Sequence, residues 1–506
     1  MFDTTYLKKG SYYFFLIFLM SFGVNRAQEK QPNIIFVLVD DLGYADVGFN
    51  GSTYFETPAL DALAKESLVF DNAYMYPTFS PSRSALFTGK QSFRTGVYTV
   101  PVLEKGDAQE NIFSRWTVEK EHPIYAEPLA EAGYKSIHLG KWHIVGPYPE
   151  KELAMNWPIQ QRLDQPQAGD FTWVENHKTQ AVKQFYPEGR GFIKNVGGTF
   201  RGDPALEKGG YKSERGGYRA PFSNPFIAPK PNDEWLTDRL ADDAIEFMDN
   251  NKNTPFLVNL HFYAVHRPIK NRNDVLFNKY MNKPGDPITG QGIGKNKERM
   301  ASYATMVESM DENIGRIMAY LKKNKLEENT VLIITSDNGY HPIASENLKL
   351  RGAKGEIYEG GIKVPALIHW PGKVRARRTE IPIAVIDYFP TLMDVAHVAH
   401  KGQLDGKSLS TLFKKDNRNF KQRPLFWHLA SQYKHGTCFV IRKGDYKLIQ
   451  FLKDGKLELY NLKTDPKETK NLAQDHAKTT QKLLDELVAW RASNKVPLSP
   501  NSILSK

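Results

Sequence analysis

Ile34-Ile35-Phe36-Val37-Leu38-Val39 runs without a break into Asp40-Asp41-Leu42-Gly43. A run this apolar and this rich in β-branched residues reads as a strand buried on both faces, as inside parallel sheets. Three other segments repeat the pattern of apolar run and polar end. Val331-Leu332-Ile333-Ile334 leads into Thr335-Ser336-Asp337-Asn338-Gly339, and Phe256-Leu257-Val258-Asn259-Leu260-His261-Phe262 leads to His266-Arg267-Pro268. Ser136-Ile137-His138-Leu139-Gly140 leads to Lys141-Trp142-His143. Helical patterns lie between. Trp235 to Asn250 is acidic and amphipathic, and Met300, Tyr303, Val307, Met310, Ile314, Ile317 and Leu321 recur as one core-facing stripe. This alternation predicts an α/β sandwich around a mostly parallel sheet. Ligands of such sheets gather at the carboxyl ends of the strands, so the four polar clusters are expected to meet in one site.

A chain of 506 residues exceeds one ordinary core and predicts two folded units, placed at 28–415 and 416–506. After Tyr388-Phe389-Pro390-Thr391-Leu392 the pattern changes to short strands: Pro424 to Trp427, Cys438 to Ile441, Tyr446 to Ile449 and Leu457 to Tyr460. A helix from about Lys478 to Trp490 follows, giving a small C-terminal α+β unit with an antiparallel sheet. Residues 151–230 are rich in Gly, Pro, aromatic and basic residues and read as a long loop, inserted to shape the site mouth or forming plain surface.

Lys8, Lys9 and the apolar run Tyr12 to Met20 read as a signal peptide over 1–27, with cleavage expected after Ala27. Export to the periplasm or the medium is expected, and no segment is long enough to span a membrane. The single cysteine, Cys438, excludes an intrachain disulfide and reads as a buried strand residue. A net charge of +11 favours anionic partners. Without a nucleic-acid-binding motif, an exported basic chain fits a sulfated or carboxylated polysaccharide better than nucleic acid.

Asp40-Asp41 and Asp337-Asn338 offer three carboxylates and an amide oxygen. Like charges so close are costly unless a cation neutralises them, and oxygen ligands without histidine favour Ca²⁺, or less readily Mg²⁺. Turns and helix caps use Asp as freely, so each pair alone says little. Lys141, His143, His266 and Lys354 would bring cationic or proton-donating groups to the same edge.

Thr78-Phe79-Ser80-Pro81-Ser82-Arg83-Ser84-Ala85-Leu86-Phe87-Thr88-Gly89-Lys90 resembles the signature of the type I sulfatases, in which Cys or Ser, any residue, Pro, any residue and Arg open a helix. Leu139-Gly140-Lys141-Trp142-His143, Ser336-Asp337-Asn338-Gly339, Lys354 with Tyr358-Glu359-Gly360-Gly361, and Leu459-Tyr460-Asn461-Leu462 are similar to its other blocks, in order along nearly the whole chain. The resemblance implies the alkaline-phosphatase-like fold, a bound Ca²⁺ and hydrolysis of sulfate esters on saccharides. It implies Asp40, Asp41, Asp337 and Asn338 on the metal, Arg83 on the hydrated formylglycine, and Lys141, His143 and Lys354 on sulfate. His266 would stand on the leaving-group side.

One position departs from the pattern. Where the family's Cys or Ser is oxidised to formylglycine, this chain has Phe79. Covalent catalysis needs a group that attacks and later leaves, and a phenyl ring does neither. Formylglycine is therefore not expected. Three readings stay open: a sulfatase using Ser80, Thr78 or a metal-activated water, a binding protein that holds sulfated glycan without turnover, and a phosphoesterase acting through Thr78 or Ser80. The sugar, the sulfate position, exo or endo action and the oligomeric state are not readable from one sequence.

Overall fold

The computed structural model describes residues 30–101, 112, 114–153, 171–206, 215–294, 296–342, 345, 349–430, 434 and 436–498. The expected signal peptide, at 1–27, lies outside them. Eleven strands come first in chain order: β1 (Asn33–Val39), β2 (Leu68–Phe70), β3 (Ala73–Tyr74), β4 (Lys135–Gly140), β5 (Lys194–Val196) and β6 (Phe256–Phe262). β7 (Thr330–Ser336), β8 (Lys363–Val364), β9 (Ala366–His369), β10 (Arg377–Thr379) and β11 (Ile383–Ala384) follow. Eight of them form one sheet in the order β10-β2-β9-β7-β1-β6-β4-β5. β1 pairs in parallel with both β6 and β7, and β4 in parallel with β6 and β5. Only β9 runs against its neighbours, β7 and β2.

The sheet is a true middle layer because successive residues of β1 point to opposite faces. Ile34, Phe36 and Leu38 belong to one apolar core, and Ile35, Val37 and Val39 to another. The second core takes the stripe of the helix Lys297–Lys323, whose Met300, Tyr303, Val307, Met310, Ile314, Ile317 and Leu321 are all buried, as the sequence predicts. The helix Leu236–Asn251 packs beside it. The first core takes the helices Phe79–Thr88, Ala126–Glu131 and Tyr388–Ala396.

The strands after 420 appear where expected: β12 (Leu425–Leu429), β13 (Cys438–Lys443), β14 (Tyr446–Phe451) and β15 (Leu457–Asn461), antiparallel in chain order. One face carries Phe439, Ile441, Leu448 and Leu459 against Leu483 and Leu487 of the helix Ala477–Ser493. The other face, with Trp427, Cys438, Val440 and Ile449, joins the first core of the large sheet. Burial pushes the Cys438 thiol up to about 12, so it is inert packing.

The segment 171–206, part of the stretch read as a long inserted loop, carries regular structure. It holds two short helices, Thr172–His177 and Gln180–Lys183, and supplies β5 as an edge strand of the main sheet. Trp173, Phe185, Tyr186 and Phe200 are buried in the first core, which accounts for the aromatic content of this region. Among the described residues no helix is long and apolar enough to cross a membrane.

Candidate functional site

The register brings the polar clusters together. Val39 at the end of β1 lies opposite Ser336 on β7 and Phe262 on β6, and Gly140 at the end of β4 lies opposite His261. The residues that follow each strand therefore leave the sheet along one edge. Gly140 has φ +87°, and a Cβ there would stand 2.0 Å from the His261 carbonyl oxygen, so only glycine lets the chain turn toward Lys141. Asp41 and His143 themselves hold left-handed backbone, at φ 63° and 56°. Such conformations are costly for non-glycine residues and persist where surrounding contacts enforce them, commonly at functional sites.

The helix Phe79–Thr88 enters this edge by its first turn. Thr78 is extended, Pro81 sits in the first turn where its missing N–H is not needed, and Gly89 closes the helix in the left-handed conformation. All ten helix residues are buried, which aims Phe79, Ser80 and Arg83 into the protein. Arg83 donates from Nε and Nη2 to Asp337 Oδ2 at 3.0 and 2.8 Å, and from Nη1 to the Lys141 carbonyl at 2.8 Å. Its Nη1 also lies 3.1 Å from His261 Nδ1. The guanidinium thus bolts the starts of three polar clusters together.

Two lysines sit on the two acids that follow β1. Lys141 Nζ is 2.6 Å from Asp40 Oδ2, and Lys354 Nζ is 2.5 Å from Asp41 Oδ1. Asp41 Oδ1 also accepts from Asn338 Nδ2 at 2.8 Å, and the Asp41 N–H donates to Asp337 Oδ1 at 3.2 Å. Burial, with the Asp337 charge nearby, pushes Asp40 up to about 6, and burial pulls Lys141 down. Asp41 is buried as deeply, which alone would raise it, yet Lys354 and His266 hold its carboxyl below the usual range.

The Phe79 ring lies in the middle of these charges and is 6% exposed. Its centre is 3.8 Å from Lys141 Nζ and 4.4 Å from Lys354 Nζ. The His143 and His266 rings are 4.6 and 6.1 Å away, centre to centre. Burial, then the charges of Lys141 and Arg83, hold His143 well below the usual histidine range, so it is neutral. Ser80 Oγ lies 3.4 Å from His143 Nδ1.

Three buried oxygens in this nest have no hydrogen-bond partner among the described residues: Asp40 Oδ1, Asp41 Oδ2 and Asn338 Oδ1. Orphaned acceptors in a buried carboxylate pair are what a hard cation satisfies, so the donor set fits a divalent ion. The sequence reading expects oxygen ligands without histidine, and the structure also brings a histidine beside them. Asp40, Asp41 and His266 each offer a ligand atom within 4.8 Å of the others, and His266 Nε2 is 3.8 Å from Asp41 Oδ2. Asp337 is the member already engaged on both oxygens.

Sequence reasoning missed Asp203. His266 Nδ1 lies 2.8 Å from the Arg267 carbonyl and 3.2 Å from Asp203 Oδ1, so Nδ1 carries the proton and Nε2 faces the acids. Asp203 belongs to the segment after β5, which also accepts the His143 N–H at the Thr199 carbonyl, 3.1 Å away. Gly202 packs so tightly on the His143 ring that a Cβ would stand 3.2 Å from Cε1. Nothing in the local pattern of 197–206 signals these contacts.

The sulfatase family profile matches residues 32–398, and that of the N-sulphoglucosamine sulphohydrolase C-terminal region matches 353–493. A sulfatase of Formosa agariphila is 26% identical, over 95% of this chain and 92% of that protein. An N-acetylglucosamine-6-O-sulfatase of Bacteroides thetaiotaomicron is 24% identical, over 91% of this chain and 86% of that protein. The crystal structure of Ps i-CgsB in complex with k-i-k-neocarrahexaose superposes with a TM-score of 0.70 at 26% identity, covering 94% of this chain and 95% of that one.

Proposed function

Because the chain belongs to the sulfatase family, we propose that it is an exported member that recognises sulfated polysaccharide or oligosaccharide without formylglycine-dependent turnover. The observation that carries this reading is the Phe79 ring at the helix start, 3.8 Å from Lys141 Nζ, where the family's signature calls for an oxidisable Cys or Ser. A hydrocarbon there cannot attack sulfur. The cations around it are nonetheless present, buried and held on acids rather than dispersed. A relative named as an N-acetylglucosamine-6-O-sulfatase, and a neighbour in complex with k-i-k-neocarrahexaose, support a glycan sulfate as the anion.

Asp40, Asp41, Asp337 and Asn338 are the residues that would hold Ca²⁺. When bound, the ion supplies positive charge against the sulfate oxygens. Lys141, Lys354 and His143 take the remaining oxygens in this reading, and His266, steadied by Asp203, faces the bridging oxygen. We assign the signal peptide to 1–27, the main unit to 28–415 and the smaller one to 416–506, with 151–230 shaping the mouth.

The test pairs calorimetry with sulfate release. Binding of sulfated oligosaccharides with no free sulfate after prolonged incubation supports the reading. Sulfate release by the unaltered protein overturns it. A second reading, ester cleavage through Ser80, has one observation in its favour, the 3.4 Å approach of Ser80 Oγ to His143 Nδ1. Release of phosphate or sulfate that vanishes in Ser80→Ala would select it.

A further inference from the structure

We propose that Glu66, Glu327 and His369 form a second metal site, for a tetrahedral transition ion with Zn²⁺ foremost, at the edge of the main sheet opposite the polar nest. His369 ends β9, Glu327 opens the short turn Glu327–Asn329 ahead of β7, and Glu66 follows the helix Pro58–Lys65. His369 lies opposite Leu332, near the start of β7, whereas Asp337 follows the end of that strand. The two sites are thus about 20 Å apart, one strand length. Each of the three residues offers one ligand atom, and the three atoms lie within 4.8 Å of one another.

The histidine is what turns two acids into a site. It is 2% exposed, and its Nδ1 faces two acceptors, the Glu66 carbonyl at 3.2 Å and Ser67 Oγ at 3.4 Å. Ser67 Oγ gives its own proton to the Leu63 carbonyl at 2.6 Å, so it can only accept from the ring. Nδ1 therefore carries the ring proton, and the lone pair of the neutral imidazole sits on Nε2. Nε2 stands 3.4 Å from Glu327 Oε1, an acceptor against an acceptor in a buried position. Such a pair needs a cation between its members, either a proton or a metal ion, and the distance favours the metal. N–H···O pairs usually close to about 2.9 Å. Two ligands of a tetrahedral Zn²⁺, each about 2.0–2.1 Å from the ion, stand about 3.3–3.4 Å apart. A backbone carbonyl on the far ring nitrogen is also the usual support of a metal-bound imidazole.

Glu66 is exposed, so its side chain can swing in and the ion can enter from solvent. Lys322 Nζ, 3.7 Å from Glu327 Oε1 and 56% exposed, is the neighbour that the ion displaces. One imidazole with two carboxylates suits Zn²⁺ better than Ca²⁺, which prefers oxygen ligands throughout. A bound ion clamps a helix end, a strand end and a turn together, in a chain whose single cysteine leaves it no intrachain disulfide.

Calorimetry on the untagged full chain, in excess CaCl₂ to occupy the polar nest, should show one further equivalent of Zn²⁺ binding. Co²⁺ in its place should give the intense visible absorption of tetrahedral coordination. Glu66→Gln, at an exposed position, should weaken Zn²⁺ by at least about tenfold. His369→Gln should abolish the binding. Zn²⁺ should raise the urea midpoint of the parent and leave that of His369→Gln unmoved. Glu327→Gln replaces His369→Gln in both measurements should the latter fold poorly. No uptake of Zn²⁺ in excess CaCl₂ overturns the proposal and leaves His369 and Glu327 as a protonated ion pair. Uptake unchanged in folded Glu66→Gln and Glu327→Gln places the ion elsewhere and overturns it equally.

Discussion

The Lys141 ammonium is held between two unlike partners, Asp40 Oδ2 at 2.6 Å and the centre of the Phe79 ring at 3.8 Å. The ring is not an intruder that disrupts the pocket. It takes up the cations as a packing partner, and a desolvated cation–π contact of this kind contributes up to about 2 kcal/mol. The pocket walls are thereby kept in place around a residue that cannot perform covalent chemistry.

Phe79→Cys, expressed with a formylglycine-generating enzyme, should therefore recover function. Mass spectrometry of the tryptic peptide should show conversion of the new cysteine. Sulfate release from an aryl sulfate should rise by roughly two orders of magnitude over the unaltered protein, the scale on which single catalytic groups are usually felt. Full conversion with no gain would show that the surrounding cations are no longer placed for turnover.

Arg83 is a second point of leverage. Both it and Asp337 are fully buried, and the pair is forked, with Asp337 Oδ2 accepting twice. Arg83→Ala leaves a buried carboxylate without its partner, a change that typically costs about 3–5 kcal/mol. The urea midpoint should fall accordingly. Saturating Ca²⁺ should restore part of the loss if Asp337 is turned toward the ion once the guanidinium is gone.

The strands and the long helix were legible because their signals are local. The apolar run Ile34 to Val39 and the stripe from Met300 to Leu321 are written in consecutive residues, and both are buried as they predict. The site was legible for a related reason: four strand ends must share an edge once the sheet is parallel. β5 was not, since Lys194–Val196 is a short edge strand whose first residue is exposed and shows no apolar run. Nor was the Asp203–His266 contact, a long-range pairing between two loops with no periodicity to betray it. The grip of Arg83 on Asp337 joins residues far apart in sequence, one inside a helix and one just past the end of β7, with no local pattern to announce it.

The join between the two sheets should be sensitive to pH. Lys447 on β14 reaches Glu359 at 3.1 Å and Glu468 at 2.9 Å, all three fully or nearly fully buried. Burial pushes Glu468 up to about 7, against an ordinary value of 4.5, with Lys447 pulling it back. A carboxyl raised on folding contributes stability that is complete below 4.5 and is lost as pH rises through about 7. Glu468→Gln removes that downward slope. Urea unfolding across this window should show the variant gaining on the parent as pH rises.

His428 predicts the opposite sign. It lies on β12, stacked on Phe439 at 4.5 Å and meeting the Tyr98 edge at 5.5 Å, and neither ring nitrogen has a hydrogen-bond partner among the described residues. Burial, with the Arg491 charge nearby, pushes it down to about 3 from an ordinary 6.5. A group whose folded value is depressed contributes stability that is complete above 6.5 and lost as pH falls through about 3. Charging such a ring removes about 1.4 kcal/mol per pH unit inside that window. His428→Phe preserves the stack and cannot charge, so urea midpoints between pH 6.5 and 4 should fall less steeply than in the parent by one proton's worth. Identical slopes would mean that the ring is solvated well enough to protonate in place.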